Sequence, residues 1–262
     1  MDKDDYHKMI ELINSGLSQD EVLDKIVDYR RQKESSKEAE TSLEEMIDDF
    51  LEEAEKENEC FERAKRIYDE LENKDNFETI KEAYNHITQF YKDELSGFDN
   101  FTINRMVVEM HYSQFNDFSR DAILACAINY SDLDKLMIKV GFLDNYLGYK
   151  LGENGHKKKI IVLGDCNQFV GNKMVDGEIY VLGNVGNDCG RKMYGGKILV
   201  EGDAQDNCGY FMYDGEIQIE GDVGDWCGRG MSDGEIKVDG KISGDIGKYK
   251  TGGRIINKGK VY

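Results

Sequence analysis

Cys189, Cys208 and Cys227 stand nineteen residues apart in a chain of 262 residues. Three thiols at one interval could do chemistry: as thiolates they bind soft metals or exchange disulfides. Iron–sulfur clusters are usually held by four cysteines at spacings of their own, and a tetrahedral zinc site built on these three would lack its fourth ligand. The same interval reaches Val170 on one side and Ile246 on the other, so the position takes small apolar side chains. Free cysteine behaves as one. An interior packing ladder is the expected role, with redox-active thiols and a metal site as the alternatives.

A second series at the same interval reads Asp165, Asn184, Asp203, Asp222 and Lys241. Calcium-binding β-helices also stack carboxylates, but on a shorter glycine-rich repeat, and Lys241 opposes a cation. Hydrogen bonding within turns is the expected role. His7, His86, His111 and His156 show no metal-type spacing, and Asp48-Asp49 with Glu52-Glu53 read as a solvated helix face. No nucleophile is paired with a base, and no strand leads into a phosphate-binding glycine loop. The sequence therefore offers no catalytic, cofactor-binding or metal residue.

The elements that position these side chains come from a repeat. Gly164, Gly183, Gly202, Gly221 and Gly240 keep the nineteen-residue interval. So do Gly171, Gly190, Gly209, Gly228 and Gly247, then Gly177, Gly196, Gly215, Gly234 and Gly253. Met174, Met193, Met212 and Met231 follow it until Lys250 breaks the series. Ile179, Ile198, Ile217, Ile236 and Ile255 open a short strand in each copy, with Val181, Val200, Ile219, Val238 and Asn257 two positions on. Alternation puts both sets inward and the residues between them outward. One such coil cannot bury its apolar edge alone; stacked coils can, each strand pairing with its equivalents. At about 4.8 Å per rung, five coils form a stub on the order of 24 Å tall. The glycines mark its corners, with Asp176-Gly177, Asp214-Gly215 and Asp233-Gly234 as turn chemistry. Ile160 and Val162 are expected to begin the strand series without a full coil of their own.

The rest of the chain is different in kind. Residues 1–100 hold 30 Asp or Glu against 14 Lys or Arg, whereas 24 of the 28 glycines lie from residue 151 onward. Capping boxes at Ser18–Glu21 and at Ser42–Glu45, and Asp75 with Glu78, predict helix starts. RRQKESSKEAET reads as a solvated linker, and Ile80, Tyr84, Ile87 and Tyr91 keep helical spacing in the third helix. Met106, Val107 and Met110, then Ile123, Leu124 and Ala127, then Leu133, Leu136, Met137 and Val140 predict a packed helical unit. The expected fold is an α+β two-part chain: an all-α N-terminal region followed by a right-handed parallel β-helix of about five 19-residue coils. Its parts are an acidic helical domain over 1–100, a packed helical connector over 101–150 and the β-helix over 151–262. The helical part would cover one raw end of the stub, and the terminal NKGKVY the other.

The composition excludes some classes of function. A net charge of −19 repels phosphate backbones, which argues against nucleic acid. No apolar run is long enough for a membrane span, and MDKDDYHKMI, charged rather than apolar, argues against a secretory signal. Six cysteines without a CxxC pair read as free thiols of the cytoplasm. Tyr210, Phe211, Tyr213 and Trp226 on variable corners, with outward Tyr180 and Leu199, are candidates for a contact surface.

Copies such as GNVGNDCGRKMYGGKILVEGDAQDNCGYFMYDGEI resemble the C subunit of formylmethanofuran dehydrogenase and the glycine-repeat C-terminal domain of the glutamate synthase large subunit. The shared features are the corner glycines, the Met before Gly-Gly or Asp-Gly, and the Ile-x-Val strand, over about residues 160–259. The resemblance implies a right-handed β-helix that packs against catalytic subunits and itself carries no redox chemistry. It implies a structural subunit of an oxidoreductase complex, with molybdopterin, iron–sulfur or flavin carried by the partner subunits and no cofactor bound directly. A free-standing homo-oligomer that docks partners through acidic helices is the alternative.

Overall fold

The computed structural model describes residues 77–95, 117–139 and 145–262 continuously, and residues 63, 66, 67, 70, 71, 98, 100, 103, 104, 106 and 107 singly. The helix starts at Ser18 and Ser42, the linker, the Asp48–Glu53 carboxylates, Cys60, Asp75, His7, Met110, His111 and Val140 lie outside the described residues. Two helices, α1 (Ile80–Phe90) and α2 (Asp117–Tyr130), precede strands β1 (Lys135–Lys139), β2 (Lys159–Leu163), β3 (Glu178–Val181), β4 (Lys197–Val200), β5 (Glu216–Ile219), β6 (Glu235–Val238), β7 (Arg254–Asn257) and β8 (Lys260–Val261). Strands β1 to β7 form one parallel sheet in sequence order, the signature of a β-solenoid, and five nineteen-residue intervals separate β2 from β7.

Register follows from the repeat. Ile179, Ile198, Ile217, Ile236 and Ile255 face one another on successive rungs and are buried. A one-residue slip would turn this row to solvent, so the apolar alternation alone specifies the pairing. Outside, Lys159 meets Glu178 at 3.0 Å and Lys197 meets Glu216 at 2.9 Å. These half-exposed pairs reinforce the register but add little stability. A second ladder of single bridges joins Cys166, Val185, Ala204, Val223 and Ile242.

The glycines serve two distinct purposes. Those at 171, 190, 209, 228 and 247, and at 177, 196, 215, 234 and 253, have positive φ. Gly183, Gly202, Gly221 and Gly240 do not; they are needed for close approach, since a Cβ on Gly183 would lie 2.5 Å from the carbonyl oxygen of Gly164. Left-handed backbone therefore accounts for the other two series, and Gly164 has φ 136°, but it does not account for these four. The shared period of methionine and isoleucine has a matching cause. The Cε of Met174 fills the place of a Cβ on Gly196, and the Cδ1 of Ile217 fills that of Gly190. Each large side chain of one coil packs into the hollow that a glycine leaves in its neighbour.

The solenoid begins earlier than the repeat. Leu136 and Met137, expected in a helix, belong to β1, which pairs in parallel with β2 from Lys135↔Lys159 onward, while Leu133 precedes that strand outside any helix. Ile160 therefore is not the first rung. This first coil is five residues longer than the others, which hid it from a search for constant period. Tyr146, Gly148 and Lys150 nevertheless repeat the positive φ of Phe169, Gly171 and Lys173.

Both ends of the stack are closed. At the first coil, Asn129 of α2 donates to the Tyr84 hydroxyl and the Tyr149 carbonyl, each at 3.1 Å, and accepts from the Gly152 N–H. Lys158 reaches the carbonyls of Ser131 and Leu133 just beyond the C-terminus of α2, complementing the helix dipole there. One continuous apolar core runs from Ile67 and the helices through every coil to Ile255. Helix α1 is capped by Thr79, which accepts from the Glu82 N–H, rather than starting at Asp75. At the far end, Lys250 bonds the Gly253 carbonyl and Asn257 donates to the carbonyls of Val238 and Gly240. Strand β8 then folds back antiparallel on β7, so the terminal NKGKVY does dress that edge.

Candidate functional site

The thiol ladder is interior. Cys189, Cys208 and Cys227 are buried and free, and the Cys208 thiol is hydrogen-bonded to both neighbours. Bonding to the adjacent thiol, with burial, holds Cys208 and Cys227 well above the ordinary thiol range. Burial likewise raises Cys166, and lifts Cys126 to about 12. Nucleophilic and metal-binding chemistry needs the thiolate, which this environment suppresses. Among the described residues no group of three or more His, Cys, Asp or Glu is arranged to hold a metal ion.

The aspartate series is a hydrogen-bond ladder. Asp165 Oδ1 accepts from the N–H of Asn184 at 2.7 Å, Asn184 from Asp203, Asp203 from Asp222, and Asp222 from Lys241. A second such series passes from Asn187 to Asp206 to Asp225 and on to Asp245. Each carboxylate satisfies a backbone donor one rung away, as turn chemistry requires.

What remains is the corner between the second ladder and the main sheet. Its backbone alternates in and out of the left-handed region: Asp188, Gly190 and Lys192 in one coil, Asn207, Gly209 and Phe211 in the next. Alternate N–H groups then bond the rung above and the rung below: Gly190 to Val170, Lys192 to Tyr210. Between the left-handed residues, Cys189 and Cys208 turn inward while Arg191 and Tyr210 are partly exposed, and beyond them exposed side chains fall in vertical files. Val175, Tyr194 and Tyr213 form one, all exposed, with the two tyrosine rings stacked 4.7 Å apart and 4° from parallel. Beside them runs a file of alternating rings and guanidinium groups. Tyr146 stacks on Phe169; Arg191 lies over Phe169 and Tyr210; Arg229 lies over Tyr210, Trp226 and Tyr249.

Of the side chains expected at a contact surface, Phe211, Tyr213 and Trp226 are exposed here, and Tyr210 is half-buried in the ring–guanidinium file. Tyr180 and Leu199 lie elsewhere, on the outer face of the strands, where the Tyr180 hydroxyl bonds Glu201. Tyr194, Tyr249, Arg191 and Arg229 were missed by sequence reasoning. Tyr194 stands nineteen residues before Tyr213, and Arg191 and Arg229 stand nineteen on either side of Tyr210, so the interval was the signal; it was obscured because residue types alternate along it. His86 packs among Phe77, Phe90 and Tyr91, and His156 is exposed.

The described helices include none long and apolar enough to cross a membrane. Compared with models of known protein families, the chain matches none, and it matches none of the curated proteins.

Proposed function

We propose that the protein is a non-catalytic docking scaffold, a β-helix module that binds the catalytic polypeptides of an oxidoreductase assembly along its aromatic corner. The observation that carries this reading is the exposure of Val175, Tyr194, Tyr213, Phe211, Trp226 and Tyr249 along the corner segment, against only Phe90, Val261 and Tyr262 elsewhere among the described residues. A contiguous apolar patch in water favours coverage by another protein. The stacked rings of Tyr194 and Tyr213 cover one face of each other and add rigid aromatic area to that patch. Closure of both solenoid ends directs association to the side. The resemblance of the repeat to the formylmethanofuran dehydrogenase β-helix favours a molybdopterin, iron–sulfur or flavin enzyme as partner, within the cytoplasm, with a glutamate synthase-type complex second.

The test is anaerobic affinity capture of the tagged full chain from its native cells, beside a Tyr194→Ala/Tyr213→Ala/Trp226→Ala variant. Stoichiometric recovery of a redox subunit with wild type and its loss with the variant are expected. Recovery of the protein alone, or only as a homo-oligomer, would replace this reading with self-assembly.

A further inference from the structure

Along the same corner, at its N-terminal end, lysines stand on three successive rungs. Lys150, Lys173 and Lys192 occupy one repeat position, with φ of 54°, 55° and 53°. The Lys150 N–H bonds the Asn172 carbonyl, that of Lys173 bonds Arg191, and that of Lys192 bonds Tyr210, so the three sit one rung apart. Adjacent rungs lie about 4.8 Å apart, which brings three ammonium groups into one row. Lys150 is paired with Glu153 at 2.7 Å, and neighbouring Arg191 with Asp188 at 3.1 Å. Lys173 and Lys192 have no carboxylate partner among the described residues. Burial first, and then the like charges of Lys192, Lys150, Lys81 and Arg191, lower the proton affinity of Lys173.

This row is costly twice over. Each lysine holds a left-handed conformation that costs a non-glycine residue free energy. Gly230, at the same position three rungs beyond Lys173, shows what relaxes it. Like charges at Lys173 and Lys192, which lack a carboxylate partner among the described residues, add repulsion. The left-handed conformation belongs to the corner and is shared by Phe211 and Tyr249 at this position, so what distinguishes the row is its adjacent cations. Tyr84 lies under the Lys150 ammonium and Tyr149 under that of Lys173, so the row rests on a firm aromatic base.

We infer that the row is a recognition site for a carboxylate-rich segment of the docked partner protein. This rests on the scaffold reading above and specifies the chemistry of the partner's contacting face. Charge complementarity carries it: Lys173 and Lys192 are adjacent cations with no carboxylate partner among the described residues, on a chain of net charge −19. The adjoining file of Val175, Tyr194 and Tyr213 gives such a segment apolar contacts as well. A nucleic acid would meet the repulsion of the whole molecule beyond this one short row. The acidic segment is steered in by the lysines and then held by the aromatic edge.

The experiment compares wild type with Lys150→Gln/Lys173→Gln/Lys192→Gln in the same native capture, followed by carbodiimide, which joins amines directly to carboxylates. The same thermal midpoint for both proteins establishes that the variant folds. Expected are amide cross-links from these lysines to Asp or Glu of the captured protein. Capture by the variant should be at least about tenfold weaker at low salt, with a shallower dependence on salt. A partner retained equally by the variant, without such cross-links, overturns this inference and leaves the scaffold reading intact. So do cross-links only to carboxylates of the same chain, or a partner lost on nuclease treatment. Absence of any captured protein overturns both.

Discussion

At the scale of single residues, burial decides chemistry. The thiols look reactive by count and spacing, yet each of Cys166, Cys208 and Cys227 is pushed above the ordinary range in the core. On addition of a disulfide reagent to the native protein, Cys189, Cys208 and Cys227 should react only as fast as the protein unfolds. Reaction within seconds would restore the redox alternative. The same shifts make stability pH-dependent. Cys126 titrates at about 12 in the folded chain against an ordinary 9.0, so the folded state holds its proton more tightly. A group raised in this way contributes fully below pH 9.0 and loses its contribution as pH rises through about 12. Tyr84 and Tyr149, raised first by burial, act in the same direction. Lys158 and Lys173, lowered by burial, act in the opposite one. Calorimetry from pH 7 to 11 should show a thermal midpoint that declines above about pH 9, and Cys126→Ala should flatten that decline.

At the scale of elements, the coil is a lock between glycine and a large side chain nineteen or more residues away. Gly190 has φ +66° and the Cδ1 of Ile217 in the place of its missing Cβ. Gly190→Ala should cost more than the roughly 1–2 kcal/mol of the left-handed conformation alone. Ile217→Val, which removes that methyl, should cost about 1 kcal/mol by itself. The double variant should be more stable than the sum predicts, since the smaller side chain makes room; denaturant titration of the cycle reads this coupling. Additive effects would mean that the contact does not set the glycine. The last coil tests the opposite case. Lys250 and Asn257 break the Met and Val series and spend their polar groups on carbonyls of the final rungs. Lys250→Met/Asn257→Val restores the repeat but removes the cap. End-to-end association is then expected, seen as a concentration-dependent mass by light scattering.

At the scale of the whole molecule, the helices and solenoid share one core, and Asn129 is the polar joint between them. Asn129→Leu would leave the Gly152 N–H and the Tyr149 carbonyl without their partner in the interior. Each such group costs about 1–3 kcal/mol, so a loss near 3 kcal/mol is expected by chemical denaturation. If the joint matters, hydrogen exchange should accelerate first over residues 145–158 rather than over the distal coils. Uniform acceleration would instead mean that helices and coils open as a single unit.

The amino-acid sequence by itself determined the coil. In a parallel in-register stack the neighbour of each residue is its own equivalent nineteen positions away, so periodicity in the chain is contact in space. That is why the inward Ile and Val rows, the buried thiols and the aspartate turns were legible without coordinates. Only the tertiary structure decided the rest. The first coil forms without keeping the period, because β1 is held by pairing with β2 and by Asn100 and Asn104, which bond the Met137 backbone, rather than by repeat chemistry. The lysine row spans that irregular coil and two regular ones, so no constant spacing revealed it. In the ring–guanidinium file Arg191, Tyr210 and Arg229 keep the nineteen-residue interval, but residue types alternate along it and the contacts to Phe169, Trp226 and Tyr249 join other repeat positions, so no one residue type repeats there.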